Sequence, residues 1–156
     1  MLRRIIWVAL ALATVALAQK YDGPVPAKPD LPYLKHGDTL IPTEAVEAKE
    51  EKKKDTTVYS ITPANSPVKT PLASPILLMK SDKLAARNLQ LFKFEVKNGH
   101  RELAFTAKHP AQPIRIVVTK LSSDGVWRIE VDESLEPGEY SLSPSDSNQA
   151  FCFQVF

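Results

Sequence analysis

The sequence predicts an all-β protein: an antiparallel β-sandwich behind a proline-rich N-terminal extension, with one short helix as the only helical candidate. Three observations predict it. From Ile76 onward, short apolar runs recur at roughly ten-residue spacing, the rhythm of a sandwich or barrel. Turn signals separate them, chiefly Asn98-Gly99 and Ser123-Asp124-Gly125. Pro63, Pro67, Pro71 and Pro75 recur every fourth residue, which forbids a helix and deletes ladder donors from any central strand. The chain reads as a signal segment (1–18), a proline-rich and charged extension (19–56) and a β-sandwich domain (57–156). A stretch of about 100 residues suffices for one core, not two.

Residues 1–18 (MLRRIIWVALALATVALA) pair a short basic end, Arg3-Arg4, with an apolar run and the small residues Ala16 and Ala18. That is the pattern of a secretory signal, cleaved near Ala18, and it predicts a periplasmic or secreted protein. The run falls short of the roughly 20 residues of a membrane span, so no stable membrane insertion is expected after cleavage. The charge changes with it. The chain has 20 Lys+Arg and 18 Asp+Glu, but Arg3 and Arg4 leave with the signal, so 18 basic residues face 18 acidic ones. A neutral surface does not attract phosphate backbones, which argues against nucleic-acid binding. Cys152 is the only cysteine, so no internal disulfide forms. It reads as a small apolar filler in a strand, or as a thiol that pairs between chains.

In the extension, Pro24, Pro26, Pro29 and Pro32 favour extended backbone, while Leu31, Tyr33 and Leu34 can dock. The segment 43–54 (TEAVEAKEEKKK) predicts a helix, with Thr43 as cap, Glu44 and Glu47 at the positive end and Lys52–Lys54 at the negative end. Its apolar stripe is thin, only Ala45, Val46 and Ala48. The competing reading is a β-arm with its tip at Lys52–Asp55, returning as Thr57–Ile61. The proline-spaced segment that follows reads as an edge or a wrapped loop. Gln90, Phe92, Phe94 and Val96 alternate with Leu91, Lys93 and Glu95 before the Asn98-Gly99 hairpin. Ile114–Thr119 is β-branched enough to be buried on both faces. Trp127, Ile129 and Val131 alternate with Arg128, Glu130 and Asp132, which places Trp127 in the core and the carboxylates outward. Tyr140 and Leu142, then Phe151, Phe153 and Val155, supply two more strands.

Leu135-Glu136-Pro137-Gly138-Glu139-Tyr140 has the form L-x-P-G-x-Y at the start of a strand. It resembles the tyrosine corner of Greek-key sandwiches and the turn before the last two strands of exported bacterial immunoglobulin-like modules. The KPDLPYL and PGEYSLSP runs also resemble small exported bacterial proteins of no characterised activity. The resemblance implies an immunoglobulin-like fold, without the cysteine pair of antibody domains. It implies no ligand and no functional residue.

The search for chemistry finds no catalytic, cofactor-binding or metal-binding residue to nominate, and no cofactor. His36, His100 and His109 are the only histidines, and none has metal-site or triad spacing. There is no G-x-S-x-G elbow, and five glycines form no phosphate loop. Glu130, Asp132 and Glu133 lie close in sequence but read as solvated. Ser145-Asp146-Ser147-Asn148 has calcium-compatible oxygens without the acidic density of a calcium loop. The expected function is therefore non-catalytic: contact with a protein partner in the cell envelope or outside the cell, through the extension or the proline-spaced edge. A glycan-binding accessory module is the alternative, for which only Trp127 remains after signal cleavage. A hydrolase of unknown type is third.

Overall fold

The computed structural model describes residues 20–156; the expected signal, 1–18, lies outside the described residues. Those residues form fourteen strands: β1 (Tyr33–His36), β2 (Thr39–Pro42), β3 (Glu44–Glu47), β4 (Lys49–Lys53), β5 (Thr56–Ile61), β6 (Lys69–Thr70), β7 (Ile76–Lys80), β8 (Leu89–Lys93), β9 (Glu95–Lys97), β10 (His100–Thr106), β11 (Ile116–Lys120), β12 (Val126–Val131), β13 (Gly138–Pro144) and β14 (Gln149–Val155). One 3₁₀ turn, Ala86–Asn88, precedes β8. The strands make three sheets, ordered β11-β12-β7-β1-β2, β3-β14-β13-β8 and β4-β5-β10-β9. All pairings are antiparallel except β6, which runs parallel to β14. No helix among the described residues is long and apolar enough to cross a membrane.

The first two sheets pack over the larger core. It joins Leu34, Leu77, Met79 and Ile129 of the first sheet to Leu91, Tyr140, Leu142, Phe151 and Phe153 of the second. Alternation along β14 explains how a second core arises. Phe151, Phe153 and Val155 face the larger core. Ala150 and Cys152, on the opposite face, join Ala48, Ile61 and Phe94 in a smaller cluster beneath the third sheet. Strand β14 is thus buried on both faces, and the chain builds two clusters where its length predicts one. The strands that make this possible come from the supposed extension.

That extension is folded into the sheets. Leu34 and Tyr33 are buried, and β1 pairs with β7 through Tyr33↔Leu78 and Leu34↔Leu77. Asp30, in a left-handed turn (φ +57°), accepts backbone N–H bonds from Asp82, Lys83 and Leu84 and ties the start of the described chain to the loop after β7. The 43–54 helix does not form. Glu44–Glu47 pairs with β14, and Lys49–Lys53 pairs with β5. A stripe of Ala45, Val46 and Ala48 is too thin to hold a helix by burial, whereas strand pairing satisfies every second backbone group and still sends Val46 and Ala48 to the smaller cluster. The β-arm reading matches the tip, Lys54-Asp55, where Lys54 takes a left-handed φ of +50°.

Two further expectations change. Ile116–Lys120 is the outer strand of the first sheet, so only one face is covered. Ile116 and Val118 pack on the core, while Val117 is 46% exposed. Trp127 packs against the larger core but stays half-buried, with the Arg87 guanidinium 5.2 Å and the Lys120 ammonium 5.9 Å from its ring centroid. Other features fall where expected. Asn98 and Gly99 take φ of +49° and +81° between β9 and β10. The proline-spaced segment wraps the edge of the second sheet, contributing only the two residues of β6.

Candidate functional site

The third sheet does not close against the second along its whole length. Where the β13–β14 hairpin turns, a cleft of about 300 Å³ remains. Period-two alternation builds its walls. Thr57 and Tyr59 lie on one face of β5, and Leu103 and Phe105 lie opposite them on β10. Gln90 and Phe92 line the cleft from β8, with Phe94 just beyond. Phe105 holds the rings together edge-to-face. Its centroid lies 5.7 Å from that of Tyr59 at 87°, and 5.6 Å from that of Phe92 at 80°. Phe92 and Phe94 are buried, whereas Tyr59 and Phe105 are half-buried and supply the open ring surface.

The rim is the turn Ser145-Asp146-Ser147-Asn148. It is fixed from both sides: the Ser145 N–H donates to the Asn88 carbonyl, and the Asn148 carbonyl accepts from the Ala48 N–H at 2.7 Å. Asp146 takes a left-handed φ of +58°, a conformation that Asp and Asn tolerate better than most residues. Among the described residues it is the only charged side chain lining the cleft; no Lys, Arg or His of these does. The Tyr59 hydroxyl donates to the Glu50 carboxylate at 3.2 Å. Burial, then the Glu50 bond, then the negative charge of Asp146 push the Tyr59 pKa upward.

A second cluster is closed. Arg101 of β10 is fully buried and joins the third sheet to the second. It donates to both oxygens of Glu44 (2.7 and 3.1 Å) and to the Pro63 carbonyl (2.9 Å). Glu139 lies 3.9 Å from it and accepts the Ser66 N–H. Burial acts to lower the Arg101 pKa, but the Glu44 hydrogen bond together with the surrounding acidic groups outweighs it and the net shift is upward. Burial raises the Glu139 pKa. Burial also pushes the neighbouring Cys152 thiol up to about 12. Cys152 has no exposed surface, so in the folded chain its sulfur lies out of reach of a second copy. Arg101 and Glu139 are buried and Glu44 is only 13% exposed, and the cluster cross-braces the sheets.

The histidines stand apart. His36 bonds to Thr70, His100 to Glu102, and His109 is exposed in a loop. Glu130 and Asp132 pair with Arg128 and Arg115. Among the described residues no three His, Cys, Asp or Glu side chains come together as metal ligands, the Ser145–Asn148 turn included. Sequence reasoning overlooked Tyr59 and Phe105. Each sits in an unremarkable alternating strand, and only the long-range β5–β10 pairing brings them together. Comparison with family models, with curated proteins and with solved structures finds no match to this chain.

Proposed function

We propose that this chain is a non-catalytic exported binding module, acting through contact with a protein partner in the cell envelope or outside the cell. One observation carries the reading: an open aromatic cleft with a fixed polar rim, with no nucleophile–base pair beside it. Concave, mostly apolar sites with a few placed polar groups are where proteins take ligands. The L-x-P-G-x-Y corner supports an immunoglobulin-like module as the scaffold, since the Tyr140 hydroxyl donates to the Glu136 carbonyl at 2.7 Å and Leu135 is buried. The contact is assigned to the cleft rather than to the extension, because β1–β4 are integral to the sheets. The glycan alternative draws less support. The cleft rings meet edge-to-face rather than as a flat platform, and Trp127 is flanked by two cations.

The test is site-specific photo-crosslinking in cells. A crosslinker at Ser147, on the rim, should capture a defined partner, and the adduct should vanish when Phe105→Ala empties the cleft. A crosslinker at Thr39, exposed on the first sheet, should not capture it. Equal capture from both positions, or capture indifferent to Phe105→Ala, defeats the assignment.

A further inference from the structure

We propose that the cleft receives a cationic side chain, the guanidinium of an arginine presented by the partner protein; this rests on the binding-module reading above. Aromatic faces attract cations through their quadrupole, and the half-buried rings of Tyr59 and Phe105 stand open at the cleft. Phe105 packs edge-to-face with both Tyr59 and Phe92, and the half-buried Tyr59 and Phe105 keep part of their ring surface at the cleft. The charge of the cleft lining has one sign. Asp146 is the sole charged lining residue among the described residues, and Glu50, behind the Tyr59 hydroxyl, already holds the Lys52 ammonium at 3.5 Å. The lysines of β4 next to them are already engaged, Lys52 with Glu50 and Lys49 with Glu51. A carboxylate-bearing or phosphorylated occupant would thus meet Asp146 as like charge in the lining.

Size and geometry narrow the cation. A volume of about 300 Å³ is at the small end of ligand sites, enough for one side chain and not for a folded segment. Guanidinium is planar and weakly hydrated, stacks on rings and offers a fork to a carboxylate, whereas ammonium is compact and strongly hydrated. An aromatic wall with a single carboxylate on the anchored turn at its rim fits the former. The anchoring of Ser145 and Asn148 means that little ordering remains to be done when the occupant arrives.

The test titrates the full chain with N-acetyl-arginine amide, its neutral citrulline counterpart and N-acetyl-lysine amide, following the Tyr59 and Phe105 ring signals by NMR. The arginine probe should shift both rings and saturate, lysine should bind more weakly, and citrulline should leave them unmoved. Asp146→Asn keeps a residue that tolerates the left-handed turn and should weaken arginine binding on the order of fivefold. Raising the salt concentration on the unaltered chain should weaken it likewise. Citrulline binding equal to arginine, or affinity indifferent to both Asp146→Asn and salt, overturns the proposal. The two readings fail separately. A partner crosslinked at Ser147 whose adduct survives Asp146→Asn and excess arginine probe overturns the cation and leaves the contact. Arginine binding without any crosslinked partner overturns the contact and leaves the cation.

Discussion

Glu139 is where burial and charge meet most sharply. Its side chain is 2% exposed, one oxygen accepts the Ser66 N–H, and the other has no hydrogen-bond partner. Arg101 is committed to Glu44 at short range and reaches Glu139 only at 3.9 Å. Desolvation therefore dominates, and the folded chain holds this carboxyl's pKa above its ordinary value. A raised pKa means the fold binds more protons than the unfolded chain between the two values. Its contribution to stability is full below the unfolded pKa and is lost as pH rises through the folded one. Glu139→Gln keeps an acceptor for Ser66 and removes the titration. In paired urea unfolding curves, the stability of the variant relative to wild type should be higher at pH 7 than at pH 4. A difference that does not change with pH, or that shrinks toward pH 7, refutes it.

At the scale of elements, the β9–β10 hairpin and the 43–54 segment are opposite cases. Asn98-Gly99 forms its turn because both residues accept positive φ, a requirement written in two adjacent letters. Asn98→Val puts a β-branched side chain at φ +49° and should cost about 1–2 kcal/mol in urea unfolding. A loss within about 0.5 kcal/mol, the span of ordinary surface changes, would show the turn to be unimportant. Segment 43–54 carries caps and charges for a helix, each worth only about 1 kcal/mol or less. Against them stand two strand pairings, the Glu44–Arg101 ion pair and the burial of Ala48. Helical propensity is local and small; the partners that outbid it lie about 100 residues away on β14 and within the β5 strand that follows, so a window of twelve residues contains the weaker half of the comparison.

For the whole molecule, the segment from Tyr33 to Ala48 contributes to the hydrophobic interior. Leu34 has no exposed surface and packs in the larger core with Leu77 and Ile129. Leu34→Ala should therefore cost about 2–5 kcal/mol, whereas Val25→Ala, at a position 54% exposed, should stay within about 0.5 kcal/mol; both are read from urea unfolding. A mild effect at Leu34 would restore the picture of a loose extension. The sequence by itself determined the all-β class, the hairpin turns and the exclusion of proline-spaced residues from central strands, because period-two alternation, positive-φ turn residues and missing amide donors act over a few residues. Only the tertiary structure decided that Tyr33–Lys53 joins the sheets, that β14 is buried on both faces and that β11 is an edge, because strand pairing is a long-range choice that one strand's letters do not encode. The candidate site belongs to the second group. Its turn was visible as Ser145–Asn148, but its rings come from three strands that meet only after the sheets have stacked, where alternation sends Tyr59, Phe92 and Phe105 to the same cleft beside Asp146.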